Sequence, residues 1–130
     1  MTALTKDRNT HMRDPNLIDF PMAAVKIFAG ALVVTDAGYA KGGIVSTTVI
    51  YQGRAEVTVD NSAGAAGDKT VVVRRNKAFK YVNDGSITVA DIGKTAFIVD
   101  DQTVADNNGT STRSACGMIT GVDSDGVWIV

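Results

Sequence analysis

The stretch Ser86–Val104, SITVADIGKTAFIVDDQTV, constrains the fold most, because several distinct structural signals follow one another without a gap. Thr88 is placed to cap a single helical turn together with Asp91. Gly93 is placed to close that turn in a left-handed conformation, and Thr95–Val99 then reads as a buried strand. Asp100 and Asp101 stop the strand in a turn, and Thr103 and Val104 begin the next. One helical turn cannot stand alone, since nucleating it costs more than its few hydrogen bonds return. Held between strands, it belongs to a compact β domain rather than to an α/β enzyme.

The rest of the chain repeats this style. From Ala23 onward, short apolar runs alternate with turn residues. Val25–Phe28 and Ala31–Thr35 flank Ala29-Gly30, and Asp36-Ala37-Gly38 is a tight turn leading to Tyr39. Ile44–Tyr51 reads as a strand, Gln52-Gly53 as a turn, and Arg54–Val59 as a strand with Ala55, Val57 and Val59 on its dry face. Asp60–Asp68 is rich in turn formers and predicts a surface loop. Thr70–Arg75 and Ala78–Val82 are predicted as strands joined near Asn76, with Asn83-Asp84-Gly85 ending the pair. Ala115–Thr120 is a further strand, and Val122–Val130 a hairpin around Asp123-Ser124-Asp125-Gly126. The spacing predicts a mostly β fold, a compact sandwich or small barrel of roughly eight to ten short strands with one short helical turn. In this reading residues 1–22 form an extended N-terminal arm and residues 23–130 a single β domain.

The arm differs from everything after it. Lys6, Asp7, Arg8, Asn9, Thr10, His11, Arg13, Asp14, Pro15 and Asn16 leave no periodic apolar face, so the segment cannot offset its own ordering entropy. Leu17, Ile18, Phe20 and Met22, set around Pro21, give its end something to bury. Docking is therefore the expectation for the arm, rather than simple fraying.

Composition narrows the function classes. At 130 residues with 6% aromatics, the core must be filled mainly by Val, Ile and Ala, which leaves little bulk to line a deep ligand pocket. A net charge of -1 argues against a partner held by long-range attraction, so neither nucleic acid nor a membrane surface is expected. No apolar run nears the roughly 20 residues of a membrane helix. The polar start does not read as a secretory signal, which predicts synthesis in a cytoplasm-like compartment.

Candidate chemistry is sparse. Asp100, Asp101 and Asp106, or Asp123 and Asp125, have the composition of acid/base pairs or hard-cation ligands, but aspartates beside Asn and Gly are more simply turn residues. His11 lies in the arm, where nothing fixes it beside a nucleophile, and Cys116 reads as a small buried hydrophobe. Gly64-Ala65-Ala66-Gly67 lacks the Lys and Ser/Thr of a phosphate loop. Arg74, Arg75, Lys77 and Lys80, interleaved with Phe79 and Tyr81, have the composition of a single-strand groove, yet strand alternation splits the charge between two faces. No catalytic residue, metal or cofactor is expected.

Several segments taken together resemble one family. LTKDRNT at Leu4–Thr10, VKIFAGALVVTDAGYA at Val25–Ala40, GRAEVTVDNSAGAAGDKTVVVRR at Gly53–Arg75, ADIGKTAFIVDDQTVA at Ala90–Ala105 and the ending GVDSDGVWIV are similar, in that order, to small capsid cement or decoration proteins of tailed phages. These minor head proteins are of the kind found in Mu-like phages and prophages. The resemblance implies a non-enzymatic, β-rich protein on the outer surface of an icosahedral head, made in the host cytoplasm and bridging major capsid protein subunits. It implies self-association as a homotrimer, with a homodimer as the alternative. A docking role is then expected for the arm, with Lys6, Arg8 and Arg13 pairing with capsid carboxylates and Ile18, Phe20 and Met22 burying apolar area. Another virion structural module, a tail or fibre-base component, is the alternative reading.

Overall fold

In the computed structural model, which describes residues 2–130, short β-branched runs separated by Gly, Asn and Asp turns become twelve strands. They are β1 (Leu17–Pro21), β2 (Lys26–Ile27), β3 (Leu32–Asp36), β4 (Tyr39–Gly42), β5 (Ile50–Ala55) and β6 (Val59–Asp60). The others are β7 (Thr70–Arg74), β8 (Phe79–Asn83), β9 (Thr95–Ile98), β10 (Thr103–Ala105), β11 (Ala115–Asp123) and β12 (Gly126–Ile129). The fold is mostly β, and its one helical element among the described residues is the 3-10 turn Val89–Asp91. That turn forms as its residues dictate. The Asp91 carboxylate accepts the Thr88 N–H at 2.8 Å, and Gly93 takes φ +95 to turn the chain out.

Two sheets carry the structure. The first is antiparallel throughout, in the order β1-β7-β5-β3-β4. Its β3–β4 hairpin turns at Ala37 and Gly38, both left-handed at φ 50 and 90, as a two-residue turn matching strand twist requires. The second is a closed five-stranded barrel in which β8, β12, β11 and β9 are antiparallel neighbours and β10 completes the ring, antiparallel to β9 and parallel to β8. Closure satisfies every backbone edge of those strands internally.

Packing follows from the position of the first sheet. Leu32, Val34 and Val49 join Phe79, Tyr81, Ile98, Ile119, Val127 and Ile129 in a core that fills the barrel and its junction with the sheet. On the other face Met22, Ile27, Val33, Ala40, Val71 and Val73 form a second core under the β2–β6 ribbon. Leu32 to Thr35 of β3 are buried in succession because both faces of that strand are covered, which is why the run shows no polar alternation. The Tyr51 and Tyr81 rings meet edge-on, 6.3 Å between centroids, with their hydroxyls hydrogen-bonded at 2.8 Å.

Beyond the arm, the structure departs from the expected strands and turns in four places. Ile44–Val49 is a loop, although its composition suits a strand, because β3 is already flanked by β4 and β5 and leaves no ladder for it to join. Val49 still plugs the core, while Val45 is exposed. Gln52-Gly53 lies inside β5 rather than at a turn. Gly53 sits at φ +143 beside a register shift, where an added Cβ would fall 2.2 Å from the Arg74 carbonyl oxygen. The strand expected over Arg54–Val59 breaks after Ala55, and Val57 is 48% exposed instead of facing a dry core. Finally, β7 and β8 do not pair. Asn76, left-handed at φ 59, carries the chain from the sheet across to the barrel.

Candidate functional site

The arm leaves the body through a local turn. Asp14 accepts the Asn16 N–H at 2.9 Å around Pro15, and Asn16 is held in turn by the Arg75 N–H, which donates to its carbonyl at 2.8 Å, and by the Asn76 side chain at 3.3 Å. The arm is thus rooted beside the connection between β7 and β8. Residues 2–15 are all exposed and form no strand or helix. Lys6, Arg8 and Arg13 lie on this exposed segment, and none of the ion pairs among the described residues includes them. The sequence reading passed over Leu4 and Met12 as docking groups, yet they are 72% and 98% exposed. Nothing in their spacing marks them, since a lone apolar residue on a polar segment is ordinary.

Ile18, Phe20 and Met22 are placed differently, which corrects the arm boundary. Ile18 and Phe20 belong to β1, paired with Val73 and Val71, and both are half-buried. Met22 is 0% exposed within the second core, so it has no surface to offer a partner. The extended arm therefore ends at Asn16, and the structure does not bring the three apolar candidates together with Lys6, Arg8 and Arg13.

The other candidates resolve into structural roles. Asp100 accepts the Gln102 and Thr103 N–H groups at 2.9 and 2.8 Å, as a turn aspartate does. Asp123 accepts the Trp128 indole N–H at 2.8 Å, and Lys80 bridges Asp123 and Asp125 at 3.6 and 2.5 Å. The hydrogen bond to Lys80, followed by its charge, holds the Asp125 carboxyl below its ordinary range. Arg74 and Arg54 both bind Glu56, and Arg75 donates to the Gln52 carbonyl at 3.1 Å. Phe79 and Tyr81 point inward, so the interleaved aromatics of the basic stretch are core. Among the described residues no three His, Cys, Asp or Glu side chains gather as metal ligands would, and no helix is long and apolar enough to cross a membrane.

Burial pushes the Cys116 thiol well above its ordinary range. Asn61 is buried in the Asp60–Asp68 loop, donating to the Ala23 and Ala65 carbonyls at 3.1 and 3.0 Å, while its Oδ1 has no hydrogen-bond partner. A side chain at Gly64 would sit 2.6 Å from that oxygen, so the bare glycine is what gives it room.

Two concavities mark the surface. One of about 340 Å³ lies between Phe28–Ala31 and Asp101-Gln102. Another, of about 180 Å³, is lined by Tyr51, Gly53, Arg75, Lys77 and Phe79 at the seam between sheet and barrel. The first is lined by main chain and the side chains of Phe28, Asp101 and Gln102, and the second carries the cations Arg75 and Lys77. Compared with protein-family models, with curated proteins and with solved structures, the chain matches none.

Proposed function

We propose that this chain is a capsid cement protein: a structural, non-catalytic component that binds the outer surface of an icosahedral phage head and stabilises contacts between major capsid protein subunits. The observation that carries the reading is the pairing of a rigid β body with an extended, exposed arm that presents Lys6, Arg8, Arg13, Leu4 and Met12 and makes little contact with its own chain. Such an arm has nothing to order it except a partner. The resemblance of segments along most of the chain supplies the identity of that partner.

In this reading the three cations pair with capsid carboxylates, and Leu4 and Met12 supply apolar area. Exposed ion pairs contribute little singly, so attachment depends on many copies acting on one shell. Homotrimers are the favoured arrangement of the copies, and the virion surface is the site of action.

Mixing the purified protein with heads that lack it tests the proposal. Saturable binding in register with the shell, lost when residues 2–16 are removed and weakened by salt, supports it. Binding to tails alone, or attachment that is unchanged without the arm, overturns it.

A further inference from the structure

Several cations of the β body are answered by carboxylates of the same chain. Arg54 and Arg74 share Glu56, Lys80 bridges Asp123 and Asp125, Lys94 pairs with Asp91 and Lys41 with Asp36. Arg75 and Lys77 belong to no ion pair among the described residues, and both line the concavity of about 180 Å³ at the seam between sheet and barrel.

The chain holds one of these cations in place. The Arg75 Nε donates to the Gln52 carbonyl at 3.1 Å, while its two terminal nitrogens have no hydrogen-bond partner among the described residues. Such an arginine offers the end of its fork, the edge that takes both oxygens of a carboxylate. The turn that follows, left-handed at Asn76, also leaves the Asn76 and Lys77 main-chain N–H groups without an acceptor in the chain. Free amides in a turn add to the attraction for an anion. Val130, which also lines the concavity, gives its carbonyl to the Met118 N–H at 3.0 Å and forms no ion pair with either cation.

Size and lining narrow the ligand. At about 180 Å³ the space is below the roughly 300–1,000 Å³ of sites that enclose a metabolite or cofactor, so it suits a single side chain. Tyr51 and Phe79 contribute aromatic surface beside the cations, which suits methylene groups and leaves a bare inorganic anion nothing to cover.

We propose that the Arg75–Lys77 concavity is a recognition pocket for a glutamate side chain on another protein chain. The carboxylate is taken by the Arg75 guanidinium and the Lys77 ammonium, and the methylene stem lies on the Tyr51 and Phe79 rings. The pocket belongs to the β body and not to the arm, so the inference is independent of the cement reading and survives its failure.

The test is a titration of the isotope-labelled full chain, followed by NMR at fixed ionic strength. The probes are a blocked Ala-Glu-Ala tripeptide, its Ala-Gln-Ala counterpart and inorganic phosphate. The Glu peptide is expected to shift the Asn76 and Lys77 amides saturably, and the Gln peptide is not. Lys77→Gln, a change at an exposed position, should weaken the Glu peptide about fivefold, the most that one exposed ion pair contributes. Lys6→Gln in the arm should leave its binding unchanged. An equal response to the two peptides, shifts confined to residues 2–15, or binding indifferent to Lys77→Gln overturns the proposal. Phosphate moving the same amides at lower concentration than the Glu peptide also overturns it, and makes the pocket a phosphate site.

Discussion

Met12 and Met22 show how little residue type says about role. Both are flexible thioethers ten positions apart in one polar-to-apolar transition, yet one is 98% exposed and the other 0%. Met22→Ala is expected to cost about 2–5 kcal/mol of stability, the sum of lost burial and the cavity left behind. Met12→Ala should stay within about 0.5 kcal/mol. Urea unfolding of the two variants checks the contrast, and equal losses would mean that Met22 is not in the core. Cys116 makes a second prediction at this scale. Its thiol is buried and its ionisation disfavoured, so a thiol reagent at mildly alkaline pH should leave it unmodified in the folded protein and label it once urea unfolds the chain. Labelling at the rate of a free thiol under native conditions would contradict the packing.

β1 is the element on which domain organisation turns. Its five residues pair with β7 along their whole length, although the segment before it is extended and exposed. Deleting residues 2–15 should therefore leave the melting temperature within about 2 °C of the intact chain, since those residues are exposed and no core contact is lost. Deleting residues 2–22 removes a sheet strand and a core side chain and should lower it by 10 °C or more, at ~4–8 °C per kcal/mol for a domain near this size. Thermal melts of both truncations decide where the body begins. The 3-10 turn is the other instructive element. Its expected cap forms because Asp91 needs only the Thr88 N–H three residues away, a contact that lies wholly within the local chain.

At the scale of the whole molecule, Tyr51 and Tyr81 link the sheet to the barrel. Burial, the largest influence on each, pushes both phenols well above the ordinary value of 10.0. The unfolded chain then releases its tyrosine protons at a lower pH than the folded one, so the native state binds more protons and stability falls as pH rises past 10. Urea midpoints measured from about pH 8 to pH 11 should decline over the upper part of that range, and Tyr51→Phe should flatten the decline. A midpoint independent of pH would mean that the two hydroxyls reach solvent.

What the amino-acid order determined by itself was everything that depends on neighbours along the chain: the 3-10 turn and its cap, the Ala37-Gly38 hairpin, the Asp100-Asp101 stop and the β11–β12 hairpin. Each is set by turn chemistry within a few residues. Tertiary structure decided the rest. Ile44–Val49 has strand composition and is a loop because no ladder position was left for it. Gln52-Gly53 has turn composition and is strand because β3 and β7 pair with β5 on either side, and the glycine is what lets the Arg74 carbonyl come so close. Met22 is core rather than arm because strands far away in sequence converge on it. Local signals carry information about dihedral preference, whereas pairing and burial are settled by which distant segments fit a shared edge or face together, and the chain carries that information only as a whole.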